Sequence, residues 1–219
     1  MRVLGEEERL QSTFFHGLGE LGRAYRVLGW KYESSKLHER DTSPVGRTGW
    51  VSTSRAATWS SICGVSTEIE SRIASLGIQL PTPPAPQGSY VPVVRAGEML
   101  FCSGVLPMLQ GELVNPGIVG LDVTVEQAQE AARVCIANLL ANIRAELGTL
   151  DRVERFVRLG GFVASTAGFG SQPEVINAAS NLLAEIFGDA GRHARAAVGV
   201  ASLPRNACVE IEAVVAVRP

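Results

Sequence analysis

Hydrophobic residues recur with two different periods along the C-terminal two-thirds of this chain. Alternation of apolar and polar side chains, the period of a strand, predicts strands at residues 90–95, 99–103 and 152–165, and a short one near 112–114. An apolar stripe of helical period follows the capping-box sequence Thr124-x-x-Gln127 and predicts a helix that runs to about Leu147, with Gly148 ending it.

Two more helices are predicted by similar signals. A capping sequence at Thr67 opens a short helix that ends at Gly77, and one at Ser171, followed by Pro173, opens a helix that ends at Gly188. The order of elements indicates an α/β (α+β) domain with a mixed sheet and two helices on one face. Since the strands are apolar on both sides, we expect the other face to be buried in an oligomer.

The last two strand-like runs, within residues 193–217, are joined by a short loop and predict a hairpin. Arg195 and Ala197 share one face of the first run, among small neighbours that leave room beside the guanidinium. Glu210 and Glu212 share one face of the second run, opposite to its valine and isoleucine side chains. One cation and two carboxylates on an apolar hairpin make this stretch the best candidate for a site.

The N-terminal part of the chain differs in composition from the rest. All three tryptophans and both lysines lie before residue 64. In this segment three glycines interrupt a candidate helix at residues 6–27, and residues 40–61 show no sustained period. We interpret residues 1–64 as a weakly ordered extension and residues 65–219 as the folded domain. A sharper hypothesis is that translation naturally starts at Val65, which N-terminal sequencing of the native protein would decide.

Charge, hydropathy and cysteine spacing exclude several classes of function. Residues 65–219 contain 11 Arg, no Lys and 15 Asp plus Glu, so a nucleic-acid partner is not expected. No segment has the apolar length of a membrane span or the core of a signal peptide, so we expect a cytoplasmic protein. The four cysteines form no C-x-x-C pair and are interpreted as buried thiols. With His193 the only histidine of the C-terminal two-thirds, no metal site is expected.

Several blocks of residues resemble a known family. Gly88-Ser89-Tyr90, the segment FCSGVLP at 101–107, HARAAVGVASLP at 193–204 and VEIEA at 209–213 stand in the order typical of the reactive intermediate deaminase A family, also called the YjgF or L-PSP endoribonuclease family. The resemblance extends over residues 65–219. It implies a chorismate-mutase-like fold and a homotrimer with sites between subunits.

The resemblance also implies an activity. Typical members hydrolyse enamine and imine carboxylates such as 2-aminoacrylate to the 2-oxo acid and ammonia, without a cofactor. By position, Arg195 would clamp the substrate carboxylate and Glu210 would activate the attacking water. Tyr90 and Ser103 would offer hydroxyl groups, and the backbone at Gly104 and Ala197 would supply further hydrogen bonds.

The residues by themselves leave other interpretations open. Arg195 is compatible with a surface or salt-bridged arginine, Glu210 with a solvated strand face, and His193 with an ordinary loop residue. In the predicted hairpin Arg195 and Glu210 lie about 13 Å apart along the strands. Either a bulge shifts the register or the two residues meet across a subunit boundary, and we favour the boundary. Two family positions also differ here, since many relatives have glutamine in place of Val105 and cysteine in place of Ala197.

Three functions therefore compete. The first is an enamine/imine deaminase, the second an endoribonuclease that inhibits translation, and the third a non-catalytic trimer that binds small carboxylates. The low positive charge of residues 65–219 argues against the second. Release of ammonia distinguishes the first from the third.

Overall fold

The computed structural model describes residues 68–83 and 88–219. The interpretations that concern residues 1–64, the start at Val65 and the cap at Thr67 lie outside the described residues. In chain order the elements are α1 (Glu68–Ser75), β1 (Val93–Ala96), β2 (Met99–Val105), β3 (Met108–Leu109), β4 (Glu112–Leu113), α2 (Val125–Leu147), β5 (Val153–Ala164), α3 (Gln172–Phe187), β6 (Ala194–Val200) and β7 (Val209–Val217).

Five of these strands form one mixed sheet. Its spatial order is β1-β2-β7-β5-β6, with β5 and β6 parallel and every other neighbouring pair antiparallel. Helices α2 and α3 cover one face, and their apolar stripes pack on alternate residues of β5 and β7 to form the core. The mixed sheet with two helices on one face confirms the predicted fold class. We call the other side of the sheet the open face.

The predicted hairpin between β6 and β7 is wrong, because β5 lies between these two strands. Gly161 of β5 pairs with Ala197 on one side and with Ile211 on the other. The second half of the 12-residue strand β5 is largely buried, and pairing with a neighbour on both sides satisfies its backbone groups there. The succession β5-α3-β6 is a strand–helix–strand crossover, which brings β6 back parallel to β5.

Of the two capping boxes predicted for the two long helices, the structure contains the one that precedes α2. Gln127 N donates to Thr124 Oγ1 at 3.2 Å and Thr124 N donates to Gln127 Oε1 at 2.9 Å, so the capping box of α2 is confirmed. The one predicted at Ser171 is wrong, because its side chain makes no cap hydrogen bond. At φ −95° and ψ 23°, Ser171 lacks the extended backbone from which a cap side chain reaches the helix N–H groups.

The double glycine of β5, Gly160-Gly161, marks a close approach of side chains from two other elements. A Cβ on Gly160 would meet the side chain of Glu212 at 2.6 Å, and one on Gly161 would meet Ile176 of α3 at 2.7 Å. The register shifts of β5 lie earlier, between Val153 and Arg158. The glycines therefore admit a carboxylate on the open face and a helix on the other.

The described cysteines agree with the prediction of buried thiols. Cys102, Cys135 and Cys208 are buried and free, and burial raises the pKa of Cys102 and of Cys208 to about 12. Cys63 lies outside the described residues. Within residues 68–83 and 88–219, no cluster of side chains has the composition of a metal site, and no helix is long and apolar enough to cross a membrane.

Candidate active site

Glu210 lies on the open face, over a glycine of the neighbouring strand. The register of β2 with β7 shifts between Cys102 and Val105, and Gly104 stands within this irregularity. A Cβ on Gly104 would collide with the carboxyl group of Glu210, so the glycine leaves room for this carboxyl group in its observed position. The irregular end of β2 therefore holds the carboxyl group against backbone.

The environment of Glu210 favours a protonated carboxyl group more than water does. Burial, and to a smaller extent the charge of Glu212, raises the pKa of Glu210 above its ordinary value. None of the described residues donates a hydrogen bond to it. Glu212 instead accepts from Arg158 at 2.8 Å and is neutralised by that ion pair. Glu210 is thus the carboxyl group available to exchange a proton with a ligand.

Ser103 connects Glu210's end of the sheet to the segment that contains Tyr90. Its hydroxyl donates to the carbonyl of Val91 at 2.8 Å and its backbone N–H donates to the carbonyl of Pro92 at 2.9 Å. Tyr90, the residue before Val91, is 50% exposed. Ser103, Gly104 and Glu210 thus lie together at one end of β2 and β7, next to the Tyr90 segment. We call these four residues the Glu210 cluster.

Arg195 belongs to a second group of residues on the helix-covered side of the sheet. It projects from β6 toward α3, where its NH1 nitrogen donates to Asn177 Oδ1 at 2.9 Å and to Ser180 Oγ at 3.1 Å. Ser180 Oγ is also 3.1 Å from His193 Nε2. We call Arg195, Asn177, Ser180 and His193 the Arg195 cluster. Ala197 follows Arg195 on the same face of β6 and packs against the core.

Hydrogen bonds fix the proton positions of the Arg195 cluster. Burial lowers the pKa of His193, and the nearby Arg195 lowers it further, so the ring is neutral at pH 7. Its Nδ1 lies 2.7 Å from the carbonyl oxygen of Gly191 and must carry the proton. Nε2 is therefore an acceptor for the Ser180 hydroxyl, and the Ser180 oxygen accepts from Arg195 in turn.

Within one chain Arg195 and Glu210 do not form a common site. Arg195 is level with Leu159 and Ala213, whereas Glu210 is level with Phe162 and Val198. This register separates the two Cα positions by three residues along the strands and two strand spacings across them, or about 14 Å. Their side chains also leave opposite faces of the sheet. Arg195 and Glu210 are therefore about as far apart as in the predicted hairpin, although β5 lies between their two strands.

Sequence reasoning overlooked three members of the Arg195 cluster. His193 was interpreted as an ordinary loop residue, and Asn177 and Ser180 were not considered. Their spacing was the available signal, since Asn177 and Ser180 are three positions apart and therefore lie on the same face of the helix. Their contact with Arg195 depends on the crossover that places β6 beside α3.

The open face around Glu210 is apolar. Phe101, Val94 and Val198 point to it from three strands and are 49%, 50% and 44% exposed. Exposed apolar side chains on adjacent strands are typical of an interface. The charged groups Glu210, Glu212 and Arg158 stand among them.

Comparisons with known proteins identify the family. Residues 70–215 match the family model described as "YjgF/chorismate mutase-like, putative endoribonuclease". The chain belongs to the YjgF family. The match includes the Glu210 cluster and the Arg195 cluster and confirms the family resemblance found in the sequence.

This YjgF-family chain is similar to proteins of bacteria and of a protozoan, among others. Protein TCP17 of Trypanosoma cruzi is 43% identical over 148 residues, 67% of this chain and 92% of that protein. A crystal structure of Atu1372 from Agrobacterium tumefaciens, a protein of unknown function, is 49% identical with a TM-score of 0.65, covering 69% of this chain and 93% of the other. A "putative endoribonuclease" from Shewanella oneidensis is 34% identical with a TM-score of 0.66, covering 68% and 99%.

Proposed function

We propose that this protein is a homotrimeric deaminase that hydrolyses enamine and imine carboxylates, such as 2-aminoacrylate, to 2-oxo acids and ammonia. The observation that supports this most directly is the contrast between its two clusters. Glu210 is a half-buried carboxyl group with a raised pKa and no described hydrogen-bond donor. Arg195 is an exposed guanidinium whose described partners are neutral. The reaction needs one group of each kind.

The positions of Arg195 and Glu210 support an assembly in which one site combines two subunits. Since Arg195 and Glu210 leave opposite faces of one sheet, a small substrate reaches both only when they come from different subunits. The apolar open face gives the surface on which a second copy would pack, with Glu210 at that surface. A closed ring of three copies would give every subunit one Arg195 cluster and one Glu210 cluster in such a contact.

The chemistry assigns a distinct task to each residue. Arg195 binds the substrate carboxylate, since a planar guanidinium matches its geometry. The enamine takes a proton on its terminal carbon to become the imine. Glu210 accepts a proton from water as the oxygen attacks the imine carbon and returns it to the nitrogen, which gives a carbinolamine. The same carboxyl group then moves the hydroxyl proton to the nitrogen as the C–N bond breaks, so that ammonia leaves and the C=O bond of the 2-oxo acid forms. Water is consumed, and no oxidant or reductant is needed.

The Glu210 cluster and the backbone of Ala197 on β6 supply further contacts. The Ser103 hydroxyl proton is used by the Val91 carbonyl, so its oxygen is left to accept from a substrate N–H group. The Tyr90 hydroxyl and the backbone at Gly104 and Ala197 are proposed to complete the hydrogen bonds to the substrate.

The experiment generates 2-aminoacrylate in situ with a pyridoxal-phosphate lyase and follows pyruvate and ammonia. We expect the full-length protein to accelerate pyruvate formation, and Arg195→Ala to reduce kcat/KM by about 100-fold or more because the carboxylate loses a charged bidentate partner. Arg192→Ala is the matched control: Arg192 is exposed, three positions away and paired with Asp189, so its loss should leave the rate within about twofold.

Two outcomes would overturn the proposal. Wild-type protein that leaves the rate of pyruvate formation unchanged is not a deaminase for this substrate. Full activity of Arg195→Ala would remove the assigned clamp. An RNA-cleavage assay run in parallel covers the activity in the description of the Shewanella oneidensis relative, and binding of pyruvate without ammonia release would indicate a non-catalytic carboxylate binder.

A further inference from the structure

We propose that Asn177 and Ser180 hold Arg195 by its NH1 nitrogen so that a small carboxylate binds the opposite edge of the guanidinium, formed by Nε and NH2. His193 fixes the orientation of Ser180 for this purpose. The inference rests on the proposed carboxylate-binding function of Arg195. It adds three positioning residues and a specified binding edge.

The argument begins with the donors of the guanidinium. An arginine side chain has five N–H bonds, two on NH1, two on NH2 and one on Nε. Both acceptors on α3 lie at NH1, Asn177 Oδ1 at 2.9 Å and Ser180 Oγ at 3.1 Å. No other described residue accepts from Nε or NH2. The edge that contains Nε and one N–H of NH2 therefore offers two parallel donors, the geometry that a carboxylate fills with both of its oxygens.

Neutral partners preserve the charge of this cation. Asn177 and Ser180 orient the guanidinium without neutralising it, whereas the carboxylate of Glu212 neutralises Arg158 on the open face at 2.8 Å. Arg158 and Arg195 lie on neighbouring strands but differ in their partners. Arg158 is paired with a carboxylate, whereas Arg195 has no anionic partner among the described residues. The expected ligand is a compact carboxylate, and neutral esters or amides of the same shape should bind poorly.

His193 determines how Ser180 can act. Because Nδ1 donates to the Gly191 carbonyl, Nε2 has only a lone pair for Ser180. The Ser180 hydroxyl therefore donates to His193, which turns the oxygen lone pairs toward Arg195. Without the ring, the hydroxyl is free to rotate and the guanidinium loses one fixed acceptor. An arginine that is already oriented loses less conformational freedom when a ligand binds.

The direct test observes the Nε–H group of Arg195 by NMR in the full-length protein during titration with pyruvate, the unreactive product. The resonance is assigned by its loss in Arg195→Lys. We expect a saturable downfield shift of this proton in the wild type. In Asn177→Ala/Ser180→Ala we expect the Kd for pyruvate to rise about tenfold, since the side chain is no longer pre-oriented.

Matched variants separate positioning from general disturbance. Asn181→Ala, at an exposed position of the same helix, should leave the Kd unchanged within about twofold. Ser180→Thr keeps the hydroxyl group and should bind more tightly than Ser180→Ala. Arg195→Lys keeps the charge but loses the two-donor edge, so it should bind pyruvate about as poorly as Arg195→Ala.

Kinetics give a second readout. Ser180→Ala and His193→Phe should raise KM for the enamine about fivefold or more with kcat changed less than about twofold, since they affect how the carboxylate is held. An equal fall in kcat for both, with KM constant, would contradict a positioning role.

The outcomes also distinguish this inference from the proposed function. An Nε–H shift that depends on Asn177 and Ser180, in a protein that does not accelerate pyruvate formation, supports the binding edge and removes the deaminase. An active enzyme whose Kd and KM are unaffected by the double variant overturns the inference and leaves the deaminase intact. A wild type that shows no Nε–H shift with saturating pyruvate overturns it as well.

Discussion

Two glutamates that stand two positions apart on β7 have different chemistry because their neighbours differ. Glu212 lies over Gly160 and pairs with Arg158, whereas Glu210 lies over Gly104 with no described cation beside it. Their shared face was predictable from strand alternation, and the structure confirms it. Which of the two would have an arginine partner was not, because Arg158 reaches Glu212 only through the pairing of β5 with β7.

Because this environment disfavours the ionised carboxyl group, Glu210 contributes less to the free energy of unfolding at neutral pH than at acidic pH. Its folded-state pKa is raised, so its contribution is most favourable at acidic pH, where the carboxyl group is protonated in both states, and is lost as pH rises through the folded pKa. We expect Glu210→Gln to increase the free energy of unfolding near pH 7 by up to about 1 kcal/mol, and to change it little near pH 4.

Urea denaturation at the two pH values measures this difference. Glu185→Gln, at an exposed position of α3, is the control and should change stability little at either pH. A Glu210→Gln protein that is less stable than the wild type at pH 7 would show that the carboxylate makes a stabilising contact instead.

At the scale of elements, local signals located the strands and helices but not the neighbours of each strand. The long helix α2 runs from Val125 to Leu147, as its stripe and caps predicted. The pairing of β6 was predicted wrongly because closeness in sequence favoured β7, although α3 between β5 and β6 already indicated a parallel crossover. Pairing depends on how the backbone groups of the long strand β5 are satisfied, and a short window of sequence does not contain that information.

A matched pair of substitutions at Thr124 and Ser171, the residues before α2 and α3, tests how much the cap hydrogen bond stabilises the fold. Thr124→Ala removes the side-chain acceptor of Gln127 N and should lower the free energy of unfolding by about 1 kcal/mol. Ser171→Ala removes no cap hydrogen bond and should change stability by less than about 0.5 kcal/mol. Chemical denaturation of both variants checks the difference, and equal losses would mean that the observed cap geometry does not determine stability.

At the scale of the whole molecule, the candidate site residues of one chain form two separate groups, the Glu210 cluster and the Arg195 cluster. The sequence indicated which residues to consider, since Tyr90, Ser103, Gly104 and Glu210 do lie at one end of the sheet. Arg195 and Ala197 lie on the edge strand β6, with β5 between them and β7. On the proposed function, a single chain contains two complementary parts of a site that forms when subunits assemble.

Mixing two inactive variants tests whether one site combines residues from two subunits. If each site takes Arg195 from one subunit and Glu210 from another, Arg195→Ala and Glu210→Ala proteins unfolded and refolded together in equal amounts should recover activity. With random assembly, half of the arginine contributions and half of the glutamate contributions are intact, so about a quarter of wild-type activity is expected.

The control is each variant refolded alone, which should remain inactive. A mixture no more active than its components, although mass measurements show hybrid oligomers, would contradict a site shared between subunits.

The placement of the acid and the cation on opposite faces has a consequence for the cell. If the protein acts as proposed, a newly synthesised polypeptide has both groups but cannot use them together until it assembles with other copies. On the proposed function, turnover per chain should therefore climb steeply with protein abundance and vanish on strong dilution, so that scarcity alone switches the enzyme off.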